Sequence, residues 1–402
     1  MANEEKLAIN GGKPVRDKFL PYGRQWLDES DIQSVIEVLK GDYLTTGPFI
    51  SEFESKVANY VGSKYAVAFS NGTAALHGAC YAAGISNGDE VITTPITFAA
   101  SANCILFQRG KPVFADIDPV TYNIDPASVE GLITPKTKAI IPVDFTGFPA
   151  DLDSIHFIAS KHNLIVIEDA AHALGATYKG KKIGSISDMT MFSFHPVKNI
   201  TTGEGGIIAT NNISFYEKLI QFRSHGITRD IKKMKQHPGN WYYEMKLLGY
   251  NYRMTDIQAA LGISQLKKLE YYNEKRKYIA ELYNQELKNI KQIKLPAMAA
   301  GYLSSWHLYV IRVNSSQVKV GRNQIINALQ KENLGVNVHY IPVYYHPYFQ
   351  GLGYEKGLCP NAEELYEEII TLPLYPLMSD DDIFDVIKAV KKVIEYYAIS
   401  ND

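Results

Sequence analysis

The chain has 402 residues, 46% hydrophobic and 21% charged, with 41 basic against 43 acidic side chains and a formal net charge of −2. That length suits two domains or one large domain with an appendage, and the composition is that of an ordinary globular protein. Nucleic acid is excluded as the main partner: such binders carry a basic face, and here like charges gather only in pieces as short as "IKKMK".

In chain order, the amino end "MANEEKLAIN" is acidic where a signal peptide is basic, and no run approaches the roughly 20 apolar residues that span a bilayer. From about 65 to 211, short β-rich runs alternate with helical stretches. The runs are "YAVAFS", "EVITTP", "KPVFADID", "KAIIPVDF", "LIVIEDAA", "MTMFSF" and "GGIIAT", several of them apolar on both parities, as strands covered on both faces should be. "GTAALHGACYAAG", "TFAASANCILFQRG" and "DLDSIHFIASKHN" lie between them as helices. The alternation predicts an α/β domain with a mostly parallel sheet, and ligands bind such sheets at the carboxyl ends of the strands. The polar stretch 227–240 reads as a mobile loop. Near residue 255 the texture changes, and "TDIQAALGISQLKKLEYYNEKRKYIAELYNQELK" reads as one long amphipathic helix capped by Thr255 or Asp256. "WHLYVIRV", a helix at about 321–333, a strand "GVNVHYIP" and a final helix follow. The expected division is therefore a large α/β domain over 1–254 and a small α+β domain over 255–402. The three cysteines, Cys80, Cys104 and Cys359, lack metal or redox spacing, which suits a reducing compartment and predicts a cytoplasmic protein with no bound metal and no membrane partner.

Four features fall at or just past strand ends. "SNGTAAL" opens a helix after a strand, where backbone N–H groups form an anion site and Gly72 allows close approach; a plain capping turn looks the same. "VIEDAAHALG" puts Glu168 and Asp169 at the end of an apolar strand, as cap, metal ligand or partner of a buried cation, with His172 three residues on. "SFHPVKNITTGEGG" holds Lys198 between a strand and a tight polar loop; a buried lysine loses its charge more readily, which suits imine chemistry, while a solvated lysine is the commoner fate. "LGYNYRMTDIQAALG" places Asn251 and Arg253 ahead of the long helix, and Phe98 in "PITFAASAN" is an aromatic past a strand end. One explanation covers all of them. Pyridoxal phosphate needs a lysine for covalent attachment, an acid for its ring nitrogen, a stacking face and a phosphate cup. Metal catalysis is disfavoured by the absence of ligand spacing, and a dinucleotide fold by the absence of G-x-G-x-x-G.

With "LTTGP", "NGTAAL", "TTPITFAASAN", "IEDAAHALGA", "FSFHPVKNITTGEGG", "RSHGI" and "LGYNYRMTDIQAALG" in this order, the chain resembles the DegT/DnrJ/EryC1/StrS sugar-nucleotide aminotransferases over nearly its whole length. These are a branch of the fold-type I pyridoxal-phosphate enzymes. The resemblance implies that Lys198 binds the cofactor covalently and then moves the proton, that Asp169 partners the ring nitrogen, and that Phe98 stacks on the ring. It implies that Gly72, Thr73 and Ser193 form the phosphate cup, and that Asn251 reaches the phosphate in the neighbouring subunit of a homodimer. His172 stands where many members have glutamine. The local wording of "FSFHPVKNITT", "EDAAHALG", "RSHGI" and "NVHYIPVY" resembles the branch that makes UDP-4-amino-4,6-dideoxy-N-acetyl-β-L-altrosamine, a pseudaminic acid precursor. By the same match Tyr22, Asp42, Tyr43, Leu44, Thr45, Asn71, His339, Tyr340, Ile341, Pro342 and Val343 would line the sugar-nucleotide side.

The implied reaction moves an amino group from glutamate to C4 of a UDP-linked 4-keto-6-deoxy sugar. A sugar 3-dehydratase of the same family would carry histidine in place of Lys198, and a non-catalytic regulator or surface-assembly protein would not need the full set of positions.

Overall fold

The computed structural model describes residues 6 to 399, so most of the acidic start of the chain lies outside the described residues. All seven expected runs are strands of one sheet: β1 Tyr65–Phe69, β2 Glu90–Thr93, β3 Lys111–Phe114, β4 Thr137–Ile141, β5 Ile165–Asp169, β6 Met189–Ser193 and β7 Gly206–Thr210. Their order is β1-β7-β6-β5-β4-β2-β3. β7 runs antiparallel to both neighbours, and the remaining pairings are parallel. The fold is the expected α/β architecture with a mostly parallel sheet.

Period-two alternation sends neighbouring residues of one strand into different cores. Ala66 and Ala68 of β1 pack with Phe53, Val57 and Ile263 on one face, while Val67 and Phe69 pack with Leu76, Cys80 and Leu219 on the other. With helices on both faces the sheet has no wetted side, which is why its strands read as continuous apolar runs. No helix among the described residues is long and apolar enough to cross a membrane.

The smaller unit is a three-stranded antiparallel sheet, Ile293–Lys294, Tyr309–Val313 and Ile369–Leu372, covered by the helices Arg322–Lys331 and Asp380–Tyr397. The start of the chain returns to it. Leu7 and Leu20 enter its core, and the buried Glu332 carboxylate accepts from the amides of Ala8 and Val15 (2.8 Å each) and from Lys392 Nζ (3.1 Å).

Two expectations are corrected. The long helix is two, Asp256–Leu266 and Leu269–Leu287, broken at Lys267 and Lys268. Thr255 is its cap, in a reciprocal box with Gln258. The first helix packs Ala259 and Ile263 into the large unit, whereas Ile279, Tyr283 and Leu287 of the second belong to the small core. We therefore propose that the junction between the units lies within the second helix, past Tyr272. The stretch 227–240 is closed at its base by a short hairpin, Ile227–Thr228 against Glu244–Met245. Finally, "GVNVHYIP" is not a strand: only Asn337 bridges to Thr371, the Asn337 side chain takes the next amide, and Pro342 has no N–H to offer a ladder.

Candidate active site

β1 ends at Phe69, and two residues later the chain is helical. Asn71 caps the helix Gly72–Ala82, its Oδ1 accepting from the Ala74 amide at 2.8 Å. The amides of Gly72 and Thr73 belong to the first turn and have no intrahelical partner, so they remain available to an anion. Space is tight on both sides of this turn, and at Gly206 only glycine fits. A Cβ on Gly72 would lie 3.3 Å from Ser193 Cβ, and one on Gly206 would lie 2.6 Å from the Asn71 carbonyl oxygen. Ser193, the last residue of β6, thereby brings its hydroxyl beside two free amides at a helix N-terminus. These donors fit a phosphate.

The loop after β6 is stitched onto itself. Phe194 N donates to Gly205 O (2.9 Å), Thr202 N to Phe194 O (3.0 Å), Thr201 Oγ1 to the same carbonyl (3.1 Å), and Gly203 N to Thr201 Oγ1 (2.9 Å). Lys198 projects from this closed loop, half-buried, and its Nζ bonds to no side chain among the described residues. Burial lowers its pKa to about 8, with Asp169 opposing that shift and Arg276 adding to it.

Asp169 ends β5. Its carboxylate accepts from Ser101 Oγ (2.6 Å) and from the Ala171 amide (3.1 Å). Burial pushes its pKa up, while these two hydrogen bonds and the Lys198 charge hold it down. A buried acid with a free amine in the same cavity fits a cofactor that offers a protonated ring nitrogen. Glu168 has separate partners: it accepts from Thr190 Oγ1 (2.8 Å), and burial raises both it and the neighbouring Asp144.

One cavity of about 890 Å³ brings these groups together. Gly72, Thr73, Phe98, Asp169, His172, Ser193 and Lys198 all line it, and so do Tyr22, Asn71, His339 and Tyr340. His172 Nε2 lies 3.1 Å from the Tyr340 hydroxyl, and its ring centre lies 4.4 Å from that of His307. Burial drives His172 and His307 well below the usual imidazole range and His339 to about 4, so all three are neutral at neutral pH. Tyr22 packs on His339 and the exposed Phe98 faces Tyr340, with ring centres 5.3 and 6.5 Å apart.

Other expected residues are not in this cavity. Asn251 is exposed on the surface, bridged to Ser224. Asp42, Tyr43, Leu44 and Thr45 are exposed beside the capping residue Thr255. Ile341 is exposed, Pro342 is buried, and Val343 sits in a core with Phe145 and Phe349, its amide donating to Pro95 O at 3.0 Å. The alternation of apolar and aromatic residues in "YIPVYY" serves packing there. Conversely, His307, Thr97, Phe107, Tyr252 and Glu204 line the cavity without having been singled out in the sequence, and Ser101 supports Asp169 from behind a run of small residues. His307 comes from a strand entry more than a hundred residues past Lys198, and no local pattern marks it.

The family model described as "DegT/DnrJ/EryC1/StrS aminotransferase family" matches residues 25–391. The chain belongs to that family. It is 44% identical to the spore coat polysaccharide biosynthesis protein SpsC of Bacillus subtilis, over 94% of this chain and 98% of that one. Among solved structures it resembles Helicobacter pylori PseC, an aminotransferase involved in the biosynthesis of pseudoaminic acid, with a TM-score of 0.88, 34% identity, and coverage of 94% of this chain and 100% of that one. The sugar aminotransferase Spr1654 of Streptococcus pneumoniae, described as putative, matches in its PLP form with a TM-score of 0.88 and 33% identity, over 94% and 99% of the two chains. This family member is accordingly a pyridoxal-phosphate-dependent sugar aminotransferase.

Proposed function

We propose that this aminotransferase carries an amino group from glutamate to C4 of a UDP-linked 4-keto-6-deoxy-N-acetylhexosamine on the route to pseudaminic acid. The observation that carries the reading is Lys198, an amine with weakened proton affinity and no side-chain partner, sharing one cavity with the buried Asp169 and the anion cup at Gly72, Thr73 and Ser193. Pyridoxal phosphate, when bound, supplies the carbonyl that receives nitrogen and the ring that takes up the electron pair.

In this reading Lys198 would hold the cofactor covalently and would be free as an amine once the donor is bound. The freed Lys198 then moves a proton away from the donor's α-carbon, and in the second half of the cycle it moves one onto the sugar's C4. Asp169 keeps the ring nitrogen protonated, since an opposite charge favours the protonated form. Phe98, on the cavity wall, would cover the ring. His172, held by Tyr340, offers a neutral imidazole beside it. Asn71, Tyr22, His339 and Tyr340 form the sugar side, where flat aromatic faces and single hydrogen-bonding tips suit a sugar without adding charge. Support for the pseudaminic acid route comes from the likeness to PseC, and support for a sugar substrate from this aromatic lining. We further propose a homodimer in which Asn251 and the segment Asp42–Thr45, all exposed on the single chain, complete the partner's site, and a cytoplasmic setting, in keeping with three buried, unbridged thiols.

The test offers the purified enzyme a panel of 4-keto sugar nucleotides with glutamate and identifies the aminated product. The N-acetylated UDP sugar should exceed dTDP-4-keto-6-deoxyglucose by a large factor in kcat/KM, because a site built to hydrogen-bond a group is left with unpaired polar atoms when that group is missing. Equal or better use of a dTDP or GDP sugar would move the chain to another branch of the family.

A further inference from the structure

A second void, of about 10 Å³, also touches Lys198; its lining includes Arg24, Asn199, Thr201, Tyr272 and Arg276. It holds at most a single water. Arg276, on the helix Leu269–Leu287, is 1% exposed. Its Nη1 donates to the carbonyls of Trp306 (3.4 Å), His307 (3.2 Å) and Leu374 (3.1 Å), while its Nε has no partner. Among the described residues no carboxylate pairs with it. Burying an ion in this way costs several kcal/mol, and neutral donors could tie the same carbonyls at a lower cost. Burial pulls the guanidinium down to about 9, which still leaves it charged at neutral pH.

The groups facing Lys198 sort by sign. Asp169 favours a protonated amine. His172, His307 and His339 are neutral, and burial raises the phenols of Tyr22 and Tyr340, so they stay neutral as well. Tyr272, on the wall of the small void, is raised by burial to about 12 and is neutral too, while Glu204, His195 and Arg24 are exposed and screened by solvent. That leaves Arg276 as the buried permanent cation at this amine among the described residues.

We propose that Arg276 is a positioning residue for the transfer: its uncompensated charge, buried on the wall of a small void that Lys198 also lines, disfavours a second positive charge there and keeps the amine free to accept a proton. The proposal rests on the reading of Lys198 as the group that moves the proton. It also gives the three carbonyl contacts a purpose, since they fix the guanidinium beside the shared void while tying down the entry to the strand Tyr309–Val313 and the chain just past Ile369–Leu372.

The test titrates Lys198 in the full-length chain freed of cofactor. Trace labelling with acetic anhydride across a pH series, read by mass spectrometry against the exposed Lys64, gives the midpoint at which the Lys198 amine becomes reactive. In the wild type it should lie near 8, and a midpoint at the ordinary lysine value of 10.5 would overturn the proposal by itself. Arg276→Met and Arg276→Gln should both raise it, by on the order of one pH unit. A mere backbone pin predicts otherwise: glutamine, which still donates to carbonyls, would leave the midpoint unmoved, and that outcome sinks the proposal. So does failure of both variants to fold, which would assign Arg276 to holding the backbone. Failure of the functional reading appears elsewhere, as cofactor still covalently attached in Lys198→Ala, and leaves this titration intact.

Discussion

Lys198 and Asp169 share a cavity in which each shifts the other's proton affinity, and their replacements should fail in different ways. Lys198→Ala should lose covalent attachment of the cofactor and abolish turnover. Lys198→Arg should fail as well, because a guanidinium stays protonated and cannot form the link. Steady multiple turnover with glutamate in the alanine variant would show the assignment to be wrong. Asp169→Asn keeps the shape and the Ser101 contact but removes the charge, so it should bind cofactor and lose most of its kcat. Near-normal kcat there would pass the role to another group, and Glu168 is a poor substitute because its carboxylate is turned toward Thr190 and Asp144. As candidates both positions were legible in the chain, since a lysine in a glycine- and threonine-rich loop and an acid closing an apolar strand are local patterns, whereas the choice of Asp169 over Glu168 rested on the family resemblance. The Ser101 hydroxyl behind Asp169 was not, because nothing local distinguishes it from other small residues at a helix start.

Between elements, the anion cup depends on how closely β7 approaches the turn from β1 into its helix. Gly206 faces the Asn71 carbonyl and Gly72 Cα with no room for a methyl group. Gly206→Ala should push that turn away from Ser193 at a cost of about 1–3 kcal/mol, weakening pyridoxal phosphate binding roughly tenfold or more by equilibrium dialysis. Unchanged affinity would mean that the Gly72 and Thr73 amides do not hold the phosphate. The same level explains the misread helix after Thr255. Its apolar positions are continuous in sequence, but they serve two cores in succession, and the axis breaks at Lys267 and Lys268 so that each half can face its own.

For the molecule as a whole, the large hydrophobic residues left uncovered on the single chain include Leu248 at 77%, Trp241 at 72% and Met245 at 66% exposure, in the segment that leads to Asn251. Exposed apolar groups gathered in one segment mark a surface for association. If a second copy covers them, Lys198→Ala mixed with a crippled Asn251→Ala chain should regain activity through hybrid dimers that contain one intact site. No recovery after subunit exchange has been demonstrated by mass would place Asn251 outside the partner's site.

The alternation of strand and helix and the sheet buried on both faces follow from patterns within a few residues of one another, where periodicity, capping and glycine chemistry act directly on the chain, and the same patterns mark the lysine, the acid and the turn after β1 as candidates. Other features arise from packing across long separations. His307 and His339 reach Lys198 only because the small unit folds back against the large one. Arg276, 78 positions further along the chain, lines a void with that lysine only in the folded molecule. The burial that lowers the proton affinity of Lys198 is contributed by segments more than a hundred residues apart, and a desolvated environment is a property of the assembled volume, which no short stretch of sequence contains.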